Sequence, residues 1–304
     1  MDPETRDFTL RYRRFMRMAE ILARLAPERA QSMLARTLGR HASPYRMRAD
    51  SMKAAMGAAL ALEPDALRLA WKAWRENHGL FAVAVFHYES LAKGWLHERI
   101  GVATPALLDE LTTTGGLVLT YHCHHQNTLA ALIGMHCGTM TALAARADIT
   151  PSYPILGTYI DRINRDSERW FGTGHYLFND NLRAVVRESR ELLEQKKILL
   201  ALCDNDWPTG PAIPLLGRWF RPPVGALTIA RRLGVPMLAA LMVPSAHGLV
   251  LHLHRLPAET ELAEILAAYV AFLEMHVRAN PACWQGWEWW NRLPTTPPSG
   301  SLLG

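Results

Sequence analysis

The residues best suited to chemistry lie in one short stretch, Tyr121-His122-Cys123-His124-His125-Gln126-Asn127. It follows a strand-like run, Gly116–Tyr121, and opens a helix-like run from Thr128 to Met135. An imidazole with a pKa near ~6.5 can take a proton from a hydroxyl or amine and later return it. It needs an orienting group on its other ring nitrogen. Asn127 stands about one helical turn past His122 and can hold one tautomer, as an amide does in Cys-His-Asn sites. It cannot stabilise an imidazolium as a carboxylate would. On spacing alone, a histidine-rich turn with a structural role is the commoner outcome. A metal site is not expected, because adjacent residues in an extended turn point in different directions and no Cys-x2-Cys or His-Glu-x2-His spacing is present. Nothing in the sequence fixes Cys123 as a thiolate.

Two further polar groups follow or precede strand candidates. Asp204, Asn205 and Asp206 come after the apolar run Ile198–Cys203. Carboxylates at a strand end can orient a hydroxyl, pair with an arginine or cap a turn, and capping is the commonest of these. Arg162, Arg165 and Arg169 precede Gly172. They read equally well as a phosphate or carboxylate clamp and as a solvated helix face. A tryptophan cluster, Trp284 to Trp290, could cover a core, line an acyl groove or sit at a membrane interface, with core cover the default.

The elements that must position these residues change in character at Gly115. Before it the periodicity predicts helices at Phe8–Leu25, Ala30–Leu38, Arg46–Ala61, Pro64–Glu76 and Ala82–Trp95. The first is basic and amphipathic, so it suits either an anionic membrane surface or packing on the domain. After Gly115, strands are predicted at Gly116–Tyr121, Thr139–Ala145, Gly174–Phe178, Ile198–Cys203, Pro236–Val243 and Gly248–Arg255. Helices fall between them at Thr128–His136, Leu156–Asn164, Asn181–Gln195 and Val224–Leu233, and a last one follows at Glu259–Arg278. This alternation predicts an α/β fold with a mostly parallel central sheet flanked by helices. The expected organisation is an N-terminal helical region packing on the core (1–110), an α/β core (111–293) and a loose tail (294–304).

The chain has 304 residues, enough to bury a sizeable core. Half of them are hydrophobic and the net charge is +5. That mild basicity suits an acidic partner, such as a carrier protein or an anionic membrane surface, about as well as it suits an ordinary solvated surface. The four cysteines lie far apart, and no secretory signal or membrane-spanning run is evident. A cytoplasmic setting is expected, with peripheral attachment to the inner face of the membrane as an option.

Taken in order, several blocks resemble the bacterial lysophospholipid acyltransferase-like family, and within it the lauroyl and myristoyl acyltransferases that act late in lipid A synthesis. The family's strand, His-x4-Asp or Glu and helix is similar to Leu117–Tyr121, His122 and Asn127, with Asn at the acidic position. A strand ending in aspartate and a later glycine turn resemble Leu200–Asp206 and Ile213–Arg218. The stretches Arg165–Gly172, Ile229–Pro236 and Asn280–Trp287 resemble further family blocks. The likeness runs from the N-terminal helices to about Leu293. It implies transfer of a fatty acyl group from an acyl-carrier-protein or coenzyme A thioester to a hydroxyl or amine on a lipid or small-molecule acceptor, with no cofactor, no metal and no nucleic-acid partner. It implies His122 as base and Asn127 in the orienting position. Arg169, Asp204, Asn205, Asp206, Gly217 and Arg218 fall at positions expected to bind substrate. The N-terminus lacks the long apolar anchor common in the family. That departure, with Asn127, suits a member recruited to a different acceptor. A non-catalytic acyl-lipid or carrier-binding protein and a thioester hydrolase are the alternatives.

Overall fold

The computed structural model describes residues 3–87, 100–144, 154–204, 211–245, 248–258 and 260–298. Nine strands are present among them: β1 (Ile100–Val102), β2 (Gly116–Thr120), β3 (Thr141–Ala144), β4 (Tyr176–Phe178), β5 (Ile198–Leu202), β6 (Ile213–Leu215), β7 (Arg218–Phe220), β8 (Met237–Pro244) and β9 (Leu249–Arg255). Seven form one sheet in the order β1-β9-β8-β2-β5-β3-β4. From β8 to β4 every neighbouring pair is parallel. β9 runs antiparallel to β8, and β1 is parallel to β9. The central strands are continuous apolar runs, as parallel strands covered on both faces must be. All of β2 is buried. The predicted α/β class with a mostly parallel sheet is what forms.

The N-terminal helices are α1 (Pro3–Leu25), α2 (Glu28–Ala42), α3 (Ala49–Leu60) and α4 (Pro64–Ala84). α5 (Pro105–Thr114), α6 (Gln126–Cys137), α7 (Pro154–Glu168), α8 (Leu182–Glu194), α9 (Gly225–Leu233) and α10 (Leu262–Ala279) follow. One hydrophobic cluster runs without a break from Met52, Trp71 and Trp74 through the sheet to Leu266 and Trp284. A second joins Phe15, Met16 and Ala19 of α1 to Phe81 of α4 and Ala131 of α6. The N-terminal helices therefore pack on the core, and α1 buries its Phe15 side while Met18, Ile21 and Leu25 stay exposed. Among the described residues no helix is long and apolar enough to cross a membrane.

Some expectations need correction. The boundary expected at residue 110 falls inside α5, and β1 ahead of it already belongs to the sheet. α4 runs on to Ala84 in one piece with the predicted Pro64–Glu76 helix, so no separate helix begins at Ala82. The rest of that predicted segment, 88–95, lies outside the described residues. β1, β6 and β7, three residues each, are not among the expected strands.

α2 and α4 cross through paired glycines. A Cβ on Gly39 would lie 2.0 Å from the Arg75 carbonyl oxygen, and one on Gly79 would lie 2.0 Å from that of Ala35. Both obstacles are backbone, which cannot swing aside. Ala in place of a helical Gly ordinarily gains roughly 0.5–1 kcal/mol, whereas overpacking costs about 1–3 kcal/mol or more. Gly79→Ala should therefore lower the thermal midpoint by several degrees, against the helix-propensity trend, and a calorimetric melt checks it.

Candidate active site

The site forms where two adjacent parallel strands end. The β2–β5 register pairs Thr120 with Leu202. His122 and Asp204 each lie two residues further on, so the two turns leave the sheet side by side. Ligands of open α/β sheets bind at such carboxyl ends. The turn after β2 is pinned from below by two tyrosines stacked at 4.3 Å. Tyr121 Oη donates to the Tyr269 carbonyl at 2.5 Å, and Tyr269 Oη donates to the Thr120 carbonyl at 2.7 Å.

Asp204 is fully buried and accepts three hydrogen bonds. His122 Nδ1 lies 2.6 Å from Oδ1. The His122 backbone N–H and the Trp284 indole N–H donate to Oδ2 at 2.9 and 2.8 Å. An ionised carboxylate only accepts, so Nδ1 carries the proton and Nε2 is left with a lone pair. The His122 side chain keeps 24% of its surface exposed, unlike its partner. Burial pushes the imidazole pKa down, but the charge and hydrogen bond of Asp204, with a contribution from Glu288, lift it above its ordinary 6.5. The arrangement is a histidine oriented and charge-compensated by a carboxylate, and among the described residues its Nε2 has no hydrogen-bond partner that would block proton transfer.

Asn127 does not serve as the orienting group. It is buried, and its amide donates to Tyr176 Oη at 3.1 Å and points toward Asn164 Oδ1 at 3.4 Å. The first turn of α6 carries it toward α7 and β4, away from the His122 ring. Asp204, expected to bind substrate, instead holds His122 and has no surface of its own to offer. Asn205 and Asp206 lie outside the described residues.

The remaining expected substrate contacts go elsewhere. Gly217 has φ +79° and Leu216 φ +51°, the two-residue turn of the β6–β7 hairpin. Arg218 donates to the carbonyls of Asn291 and Leu293, and its guanidinium stacks 4.4 Å over Trp290. Both positions serve the hairpin and its anchor to the C-terminal segment. Arg169 is 61% exposed and stands 3.8 Å from Asp166. The chain just after it, Phe171 to Thr173, bonds to Gly138 and Met140 ahead of β3. That is the amino-terminal edge of the sheet, opposite His122.

The neighbours of His122 face other surroundings. His124 packs edge-on against Trp74 at 4.7 Å and meets Gln285 Nε2 at 3.1 Å. His125 is buried with no hydrogen-bond partner for either ring nitrogen among the described residues. The three rings thus do not converge on one ion. Burial raises the Cys123 thiol to about 12, which rules it out as a thiolate nucleophile.

The site also uses residues the sequence offered only as a tryptophan cluster. Trp284 bonds Asp204, Trp289 meets the His122 ring edge-on at 5.3 Å, and Gln285 N–H donates to the His122 carbonyl at 2.8 Å. The clustering of tryptophans was visible, but their approach to His122 depends on a separation of some 160 residues. No protein-family model and no curated protein matches this chain.

Acid should destabilise the fold through three buried histidines, His78 of α4 and His124 and His125 of the turn after β2. Burial lowers His78 to about 3 and His125 to about 4, and it holds His124 well below 6.5 with help from His78 and His125. Below pH 6.5 the unfolded chain binds protons that the folded chain refuses. Their contribution is full above 6.5 and is lost as pH falls towards 4, at up to about 1.4 kcal/mol per pH unit for each proton. His122 works in the opposite sense, stabilising below 6.5 and losing that effect as pH rises through its elevated pKa. Thermal melts between pH 7 and 4 should show a steep fall that is shallower in His125→Phe. A parallel fall in both proteins would refute this assignment.

Proposed function

We propose that this protein is an acyltransferase that moves a fatty acyl group from an acyl-carrier-protein or coenzyme A thioester to a hydroxyl or amine acceptor. The observation that carries the reading is the 2.6 Å contact between His122 Nδ1 and the buried Asp204, which leaves Nε2 available. Nε2 takes the acceptor's proton as its oxygen or nitrogen attacks the thioester carbonyl. The C–S bond then breaks, and the proton on Nε2 passes to the departing thiolate. Asp204 compensates the imidazolium that exists between the two transfers and keeps the ring aligned throughout. The resemblance of the ordered sequence blocks to the lysophospholipid acyltransferase-like family supports the same reaction class. The carboxylate that the family draws from the His-x4-Asp or Glu position comes here from the end of β5.

This reading gives Asn127 no direct part in the proton transfer. An aspartate there would be buried beside Asn164 and Tyr176, with no cation among the hydrogen-bond partners of Asn127 in the described residues.

The test is mass analysis of products from an acyl-carrier donor with a panel of amines, alcohols and lysolipids. Wild type should acylate at least one acceptor, with rate rising with pH as His122 deprotonates, on a limb centred above 6.5. His122→Ala and Asp204→Asn should each lose roughly 10²–10⁴-fold in kcat while acyl-carrier binding persists. Asn127→Asp should bring no gain in rate. Free fatty acid as the only product would favour a thioester hydrolase. Binding of acyl carrier without any turnover would favour a non-catalytic carrier.

A further inference from the structure

Packing on the domain uses only one side of α1. Phe15, Met16, Ala19 and Ala23 on that side are buried. At ~3.6 residues per turn, Leu10, Arg14, Arg17, Ile21 and Leu25 share the opposite side, and all five are exposed. Met18 and Arg13, also exposed, extend it on either flank. Ile21 keeps 51% of its surface and Leu25 keeps 79%. A single exposed leucine is ordinary. An aligned apolar row on a helix whose other side already faces the core marks a contact surface. α1 is held firmly in this orientation. The Phe15 ring stacks 4.6 Å from that of His78, and Glu20 accepts a hydrogen bond from Arg162 of α7 at 3.1 Å.

The same side is cationic. α1 carries six arginines against three carboxylates. Asp7 pairs with Arg11, and Glu20 pairs with Arg24 and Arg162. Arg13, Arg14 and Arg17 find no carboxylate partner among the described residues. This mixture of apolar and unpaired cationic groups discriminates among the surfaces that could cover it. A second copy docking through the same face would set the three guanidiniums against their own images, with Asp7 and Glu20 already engaged. A purely polar, acidic surface would satisfy the arginines and leave Leu10, Ile21 and Leu25 in water. An anionic bilayer satisfies both. The apolar side chains enter the acyl boundary, while the arginine stems lie along them and lift their charge to headgroup phosphates.

We propose that the outer face of α1 docks on an anionic lipid bilayer, with Leu10, Ile21 and Leu25 entering the interface and Arg13, Arg14 and Arg17 at headgroup phosphates. Docking lays the helix in the interface plane without spanning the bilayer. The helix that docks reaches the turn carrying His122 through two rings: Phe15 stacks on His78, and the His78 ring lies 5.7 Å from that of His124. The proposal stands on exposure and charge and does not depend on acyl transfer. Its readout is binding, so either reading can fail without the other.

The experiment is co-sedimentation of the full chain with vesicles of phosphatidylcholine alone and of phosphatidylcholine with an equal part of phosphatidylglycerol. Wild type should bind the mixed vesicles much more tightly than the neutral ones, and added salt should weaken that binding. Arg13→Gln, Arg14→Gln and Arg17→Gln combined should weaken it on the order of 100-fold, at about 5-fold for each charge. The same three positions changed to Lys keep the charge and should bind like wild type. Ile21→Gln with Leu25→Gln keeps every charge and should still weaken binding roughly 10-fold or more. All five positions are exposed, so each variant should melt at the wild-type midpoint. Equal binding to both vesicles, no binding to either, or wild-type binding by the Ile21 and Leu25 variant would overturn the proposal. Self-association, or binding of an acyl carrier protein, that these substitutions abolish while vesicles go unbound would assign the face to that partner instead.

Discussion

A carboxylate with no access to water must find all its donors inside the protein, or it will not stay ionised. Asp204 finds three, and each comes from a different requirement of the fold. The His122 backbone N–H is available because β2 and β5 are parallel neighbours in register. The ring Nδ1–H is available because the Tyr121–Tyr269 pair fixes the turn that carries it. The Trp284 indole is available because the C-terminal segment folds back over both strand ends. Strand pairing, the tyrosine stack and the C-terminal segment are therefore constrained by one buried charge.

The same constraint explains the role of the N-terminal helices. Trp74 of α4 donates to the Trp284 carbonyl at 2.8 Å, and Asn77 donates to that of Ala282 at 3.1 Å. α4 is in turn clasped to α2 at the glycine crossing. The helical region thus backs the segment that supplies Asp204 with its indole. A chain of contacts runs from α2 through α4 and Trp284 to the histidine, and each link is a specific hydrogen bond or close backbone approach.

Much of the fold could be read from the sequence. The Val-, Leu- and Ala-rich runs gave β2, β5 and β8 within a residue or two at each end, and the 3.6-residue pattern located α8, α9 and α10. β1, β6 and β7 are not among the expected strands, while β4, equally short, lies inside the expected Gly174–Phe178 run. His122 was found from its place after a strand. Its partner was not, because sequence proximity favoured Asn127 while the sheet order placed Asp204 beside it from 82 residues away. Two neighbouring parallel strands leave no local signal of their adjacency. Trp284 and Trp289 were singled out as aromatic residues, but their part in the site rests on the same long-range return of the chain. Arg169, Gly217 and Arg218 are expectations of the family resemblance; Gly217 and Arg218 build and anchor the β6–β7 hairpin, and Arg169 is exposed beside Asp166.

The central claim is that Asp204, across the sheet, holds the His122 ring. The most direct measurement is the His122 Nδ1 proton resonance in wild type, Asp204→Asn and Asn127→Ala. A short N–H···O⁻ bond shields that proton from exchange and moves it strongly downfield. The account predicts this resonance in wild type and in Asn127→Ala, and its loss or large upfield shift in Asp204→Asn. Persistence in Asp204→Asn together with loss in Asn127→Ala would contradict it and return the orienting role to the helix.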